Sequence, residues 1–202
     1  MNIANMNIAK IVKSNSHVDY VGRVLDRLDS AHPPAPEHYR FGQFVSIPAG
    51  GETMVGVIYN SLLINPDYDR LGPRLSGSAD MNSVFSPDLI DEQGVLIGLL
   101  LVGWIDGEGA AHQSIPRSVI PVNSEVVVMT DNEVERFHAK GDNRLALGYY
   151  PQVITHARQF APQLLLAVLD QLERLFEHSS KSEIAVLRRT LNWQMVMQSK
   201  PL

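Results

Sequence analysis

The sequence predicts a mainly β protein: a small antiparallel β-barrel followed by a C-terminal helical hairpin. Three observations carry that expectation. Up to residue 130 the chain consists of short apolar runs parted by turns marked with glycine or proline. Beyond Thr130 the apolar spacing changes to three and four residues, the period of a helix. The run Val95 to Ile105 is apolar almost throughout, as in a strand covered on both faces. The chain therefore reads as a barrel over residues 1–130, carrying a long insertion at 60–93, and a mainly helical extension over 131–202.

Taken in order, Ile8 to Leu25 holds two apolar runs parted by Lys13-Ser14-Asn15-Ser16, the pattern of a β-hairpin. His17 and Asp19 fall at the start of its second arm, where an exposed turn is expected. Asp26 to Tyr39 contains Pro33, Pro34 and Pro36, which exclude both a central strand and a helix interior and predict an exposed loop leading to Tyr39. Arg40 to Pro48 and Thr53 to Tyr59 read as two strands turned at Gly50-Gly51, with Gly42 and Gly56 where curvature or close backbone approach is expected. The 60–93 insertion is rich in Pro, Gly, Asn, Asp and Ser, and is expected to be partly helical around Ser86 to Glu92 or to serve as a binding surface. Ser124 to Met129 is the last barrel strand.

Thr130 with Glu133 forms the signature of a capped helix start, and Gly141 is the expected stop. Leu145 to Pro151 reads as a short strand or connector with Tyr149 and Tyr150. Thr155 to Phe176 carries the clearest helical spacing, with Pro162 near a helix start and residues 155–160 as a separate turn. Glu183 to Gln198 follows with Ile184, Leu187 and Leu191 on one face, and two such helices are expected to pack as an antiparallel pair.

Composition narrows the function classes. With 17 Lys+Arg against 22 Asp+Glu, the net charge of −5 argues against nonspecific attraction to nucleic acid or anionic lipid. The absence of cysteine excludes disulfides, thiolate metal sites and thiol nucleophiles. The first fifteen residues lack the apolar core of a secretory signal, and Val95 to Ile105 is too short to cross about 30 Å of hydrocarbon as a helix, so a soluble, cytoplasmic protein is expected.

Catalytic motifs are missing. No Gly-rich turn ends in Gly-Lys-Ser/Thr, no pair of histidines sits one helical turn apart in an HExxH pattern, and no serine occupies a GxSxG elbow. The seven histidines are scattered and are expected at the surface, without a metal or cofactor. Asp67, Asp69, Asp88, Asp91 and Glu92 concentrate acid in the insertion, where solvation and capping account for them. Arg188-Arg189 beside Trp193 fit a packing stripe with Trp193 buried better than a phosphate grip, although these residue types also favour protein interfaces.

Gly42-Gln43-Phe44-Val45 and Val55-Gly56-Val57-Ile58, with Ala9-Lys10-Ile11-Val12 as a looser match, resemble the strand motifs of the HAS barrel. That barrel forms the amino-terminal part of the HerA family of DNA-translocating ATPases. The resemblance covers residues 8 to 130 and implies a collar or docking platform that partners a separately encoded ATPase or nuclease. The ATPase part is missing here, so motor activity does not carry over, and no catalytic residue transfers.

The expected function is thus a non-enzymatic accessory or assembly module that binds a protein partner, such as a HerA-like ATPase, or its own copies. Tyr39, Phe85, Tyr149, Tyr150, Arg188, Arg189 and Trp193 are the candidate partner-binding residues. The alternatives are a nucleic-acid-binding barrel, or an enzyme whose site is formed by the 60–93 insertion.

Overall fold

A computed structural model describes residues 6–65, 94–141, 144–176 and 181–198. Strands β1 (Asn7–Ser14), β2 (Asp19–Val24), β3 (Phe44–Ala49), β4 (Glu52–Ile64), β5 (Gly94–Ile105), β6 (Ala111–His112) and β7 (Glu125–Val128) form one antiparallel sheet. It closes on itself in the ring order β1-β2-β5-β4-β3-β7, because β2 pairs with β5 while β7 pairs with both β1 and β3. The result is a six-stranded barrel, with β6 added beside the end of β5. Closure satisfies strand edges that would otherwise be open to other chains.

Glycines act where the backbone needs them. Gly50 and Gly51, at φ 62° and 85°, form the two-residue turn between the paired Ala49 and Glu52; both central positions of such a turn require positive φ. Irregular registers at Ile11/Lys13, Val55/Gly56 and Ile58/Asn60 bend β1 and β4 around the barrel.

β5 is buried on both sides from Leu99 to Val102, with barrel residues on one face and helices on the other. Helices α1 (Asp131–His138), α2 (Tyr150–His156), α3 (Ala161–Leu175) and α4 (Lys181–Gln198) follow the barrel, with a two-stranded pair, β8 (Ala139–Lys140) and β9 (Arg144–Leu145), after α1. Gln152 of α2 donates from Nε2 to the carbonyl of Leu101, and Gly42, at φ 82°, comes so close to α3 that a Cβ there would lie 3.0 Å from that of Ala167. One buried apolar cluster therefore runs from Ile8 in the barrel to Leu191 in α4. α3 and α4 pack side by side, with Ile184 and Leu191 buried as their spacing predicts, and Arg188 reaches back to Asp170 at 2.6 Å and Glu173 at 2.7 Å.

α1 begins with a full capping box. Thr130 Oγ1 accepts the Glu133 amide at 3.3 Å, and the Glu133 carboxylate accepts the Thr130 amide at 2.7 Å. Thr130→Ala is expected to cost about 1 kcal/mol, seen as a lower urea midpoint at unchanged slope.

Three expectations need correction, and a fourth is untested. The strand expected to end at Tyr59 runs on to Ile64, because Leu62 to Ile64 keep pairing with β5; the 60–93 insertion thus begins as regular strand. The expected helix at Ser86 to Glu92 lies outside the described residues. The helical stretch expected from Thr155 starts earlier, at Tyr150 with Pro151 in its first turn, while the separation expected within 155–160 is present at Arg158, whose φ is 51°, before α3 begins. Gly141 does not end α1, which stops at His138; it sits instead at φ 56° between β8 and β9.

Candidate functional site

The proline-rich loop ends in a short 3-10 turn, Pro36–Tyr39. His38 Nδ1 accepts the Ala35 amide at 3.1 Å and fixes the entry to this turn, while Pro34 is buried beneath it. Tyr39 is thereby held half-buried between two adjoining surface clefts of about 330 and 470 Å³, with Val95 shared by both. The larger cleft is walled by Phe41, Tyr59 and Phe160 and floored by the β4 residues Ile58 to Ser61 together with Leu63. Phe41 and Phe160 meet edge to face, with centroids 6.3 Å apart, which ties the barrel wall to the turn that precedes α3.

Tyr59 is oriented by its hydroxyl, which donates to Asp19 Oδ1 at 2.8 Å. Burial and the neighbouring Asp19 carboxylate push the Tyr59 phenol up, so it stays a neutral donor. Among the described residues, Arg40 is the one charged residue lining the larger cleft. In the smaller cleft Asp26 is engaged by Arg23 at 3.0 Å, whereas Arg27 forms no ion pair among the described residues. The pair of clefts is aromatic and apolar within, with arginine at the rim. That arrangement suits an amphipathic side-chain surface.

β4 contributes a further feature. Its pairing with β3 ends at Val57–Phe44, and its pairing with β5 continues to Ile64–Gly94. Among the described residues the stretch 59–64 has a strand neighbour on one side only. Leu62 and Leu63 are 59% and 82% exposed there.

A second cluster lies around β6. His112 stacks on Trp104 with centroids 4.8 Å apart and donates to Asp106 Oδ2 at 2.7 Å, which holds the Asp106 carboxyl below its usual range. Asp106 also accepts the amides of Glu108 and Ala110, so the pair shapes the turn between β5 and β6. A third is fully enclosed. His138 Nδ1 donates to the Val134 carbonyl at 2.7 Å, and Nε2 faces the Tyr149 hydroxyl at 2.7 Å, beneath Phe44 and Phe137. The expected surface position of the histidines therefore fails for His138, which burial pushes down to about 4.

Of the candidate partner-binding residues that are described, Tyr39 lines both clefts. Tyr149 is 1% exposed and belongs to the core around His138, so it presents no surface to a partner; Tyr150 is half-buried at the start of α2. Arg188 bridges α3 and α4, and Arg189 is exposed on α4. Trp193 lies on α4, and Phe85 lies outside the described residues. Phe41, Tyr59 and Phe160 went unremarked as site residues because they are far apart in sequence and meet only through barrel closure. Phe41 two positions after Tyr39 was the available clue.

Among the described residues no group of three or more His, Asp or Glu side chains is gathered to hold a metal ion. No helix among them is long and apolar enough to cross a membrane. A comparison with curated proteins gives no match. The model of a domain of unknown function, DUF8166, matches residues 2–200, nearly the whole chain, and the chain belongs to this family.

Proposed function

We propose that this chain is a non-catalytic accessory module whose barrel offers the Tyr39 cleft to a protein partner. The observation that carries the reading is the cleft itself. Aromatic walls from three separate parts of the chain converge beside exposed leucines, under a rim of arginine. Tyr and Arg at the edge of an apolar depression are the groups that dominate protein interfaces. The partner class is a HerA-like DNA-translocating ATPase, in keeping with the resemblance of the Gly42 to Val45 and Val55 to Ile58 strands to the barrel that collars such motors.

Affinity purification at near-native expression, read by mass spectrometry, identifies the partner. Tyr39→Ala is then expected to weaken binding of the recovered partner by about 2 kcal/mol, roughly thirtyfold, while the chain stays folded with a modestly lowered thermal midpoint, since the ring also packs on the core. A partner held equally well by Tyr39→Ala overturns the cleft as the docking site. Recovery of small metabolite-processing proteins in place of a motor overturns the partner class.

A further inference from the structure

We infer that the outer edge of β4, from Tyr59 to Ile64, accepts an extended acidic and apolar peptide segment as an added β-strand. The inference rests on the protein-docking reading of the adjoining cleft, and names how that cleft is filled and by what chemistry. Three observations lead to it.

The first is the open ladder. β5 covers one side of residues 59–64 and no described strand covers the other. The Ser61 amide donates to the Asn60 side-chain oxygen at 2.9 Å, which places Ser61 among the residues that face away from β5. Backbone groups alternate sides along an antiparallel strand, so the N–H and C=O of Leu63 face outward with the C=O of Ser61. An incoming strand finds a donor and two acceptors at strand spacing.

The second is the absence of edge protection. Residues 59–64 contain neither proline nor a charged side chain, the usual devices that keep an edge from pairing, and Leu63 is 82% exposed. The cleft walled by Phe41, Tyr59 and Phe160 lies along this edge and can take alternate side chains of an added strand, as in β-strand addition to other sheets.

The third is charge. Arg40 lines the cleft, Arg27 lines its neighbour, and Arg158 acts electrostatically on Tyr59. None of the three forms an ion pair among the described residues. Of the described carboxylates nearby, Asp19 is engaged by Tyr59 and Asp26 by Arg23, which leaves Glu37, exposed on the Tyr39 turn, against three arginines. On a chain of net charge −5 this local excess of cations selects a segment carrying Glu or Asp. A nucleic acid would use the arginines and the rings but leave the strand edge unpaired.

The test uses the full-length chain, isotope-labelled for NMR. The probe is a short end-capped peptide alternating valine with glutamate and threonine. In the free chain the Leu63 amide is expected to exchange rapidly with water, and the probe to slow that exchange. N-methylation of alternate probe amides is expected to weaken binding about tenfold or more, and lysine in place of glutamate to do the same at low salt. Leu63→Pro, which deletes one outward donor at a position where an edge strand tolerates proline, is expected to weaken binding about tenfold, and Leu63→Ala only a few-fold.

A Leu63 amide already protected in the free chain means that the edge is taken, by this chain or a second copy, and overturns the inference. So does a probe that fails to bind at about 1 mM, a methylated probe that binds equally, or an oligothymidylate that binds more tightly with a steep salt dependence. If the purified partner is lost with Tyr39→Ala yet kept with Leu63→Pro, strand addition falls and the docking reading stands. If the probe binds as expected but the partner ignores Tyr39→Ala, the docking reading falls alone.

Discussion

Gly103→Ala is expected to destabilise the protein by about 3 kcal/mol or more, the range of overpacking that the surroundings cannot relieve. A Cβ at this position of β5 would lie 2.1 Å from the His112 carbonyl oxygen and 2.9 Å from the Phe137 ring. The carbonyl has little freedom to withdraw. His112 is pinned by its stacking on Trp104 and its bond to Asp106. Its neighbour Gln113 donates to the carbonyls of Phe137 and Ala146, both at 3.0 Å, and so fastens the β6 segment to the ends of α1 and β9. Gly107→Ala serves as control, since the nearest atom there is 3.8 Å away; its effect should stay within about 0.5 kcal/mol. Urea denaturation of the two variants measures the contrast, and equal midpoints would mean that β6 yields easily.

The second large effect is acid sensitivity set by His138. The Val134 carbonyl can only accept, so Nδ1 carries the ring proton, and Nε2 accepts from the Tyr149 hydroxyl. A second proton on the ring would place a charge in a site that excludes water, and would turn the Tyr149 oxygen from donor to acceptor. Desolvation accordingly lowers the His138 pKa from 6.5 to about 4. The unfolded chain then binds more protons than the folded one between these values. Stability is fully present above 6.5, falls with falling pH, and levels off below about 4, for a total loss of about 3 kcal/mol. His138→Phe combined with Tyr149→Phe removes both the titrating ring and the hydroxyl that depends on it. Urea midpoints followed from neutral pH to pH of about 4 should fall less steeply for the double variant than for the parent. Parallel slopes would show that other groups govern the acid response.

Much of the barrel was legible because its signals are local. Gly50-Gly51 between two apolar runs defines a turn, and the unbroken apolar stretch of β5 defines a strand with no exposed face. The Thr130 and Glu133 pair marked its helix for the same reason. The misses have a common origin in contacts between distant residues. Whether Leu62 to Ile64 are strand or loop depends on β5, some thirty positions further on, and nothing in Asn60-Ser61-Leu62 announces it. His138 reads as polar, yet a carbonyl one turn back and a hydroxyl eleven residues ahead satisfy both ring nitrogens and let it sink. Tyr149 looked like a surface aromatic until that same partnership accounted for its polar end. The cleft was the least legible part. Its walls come from the loop before β3, the middle of β4 and the turn before α3, and composition carries no trace of their meeting.

Ile64 and Gly94 stand opposite each other on one ladder, so the two points at which β4 ends and β5 begins lie side by side in the wall. With the two ends already held side by side, closing a flexible span between them costs little more as it lengthens: each doubling adds only about 0.6 kcal/mol of closure entropy. The register from Ile64–Gly94 down to Thr53–Ile105 is kept by β4 and β5 themselves, which makes this junction the natural grafting point for a protein engineer.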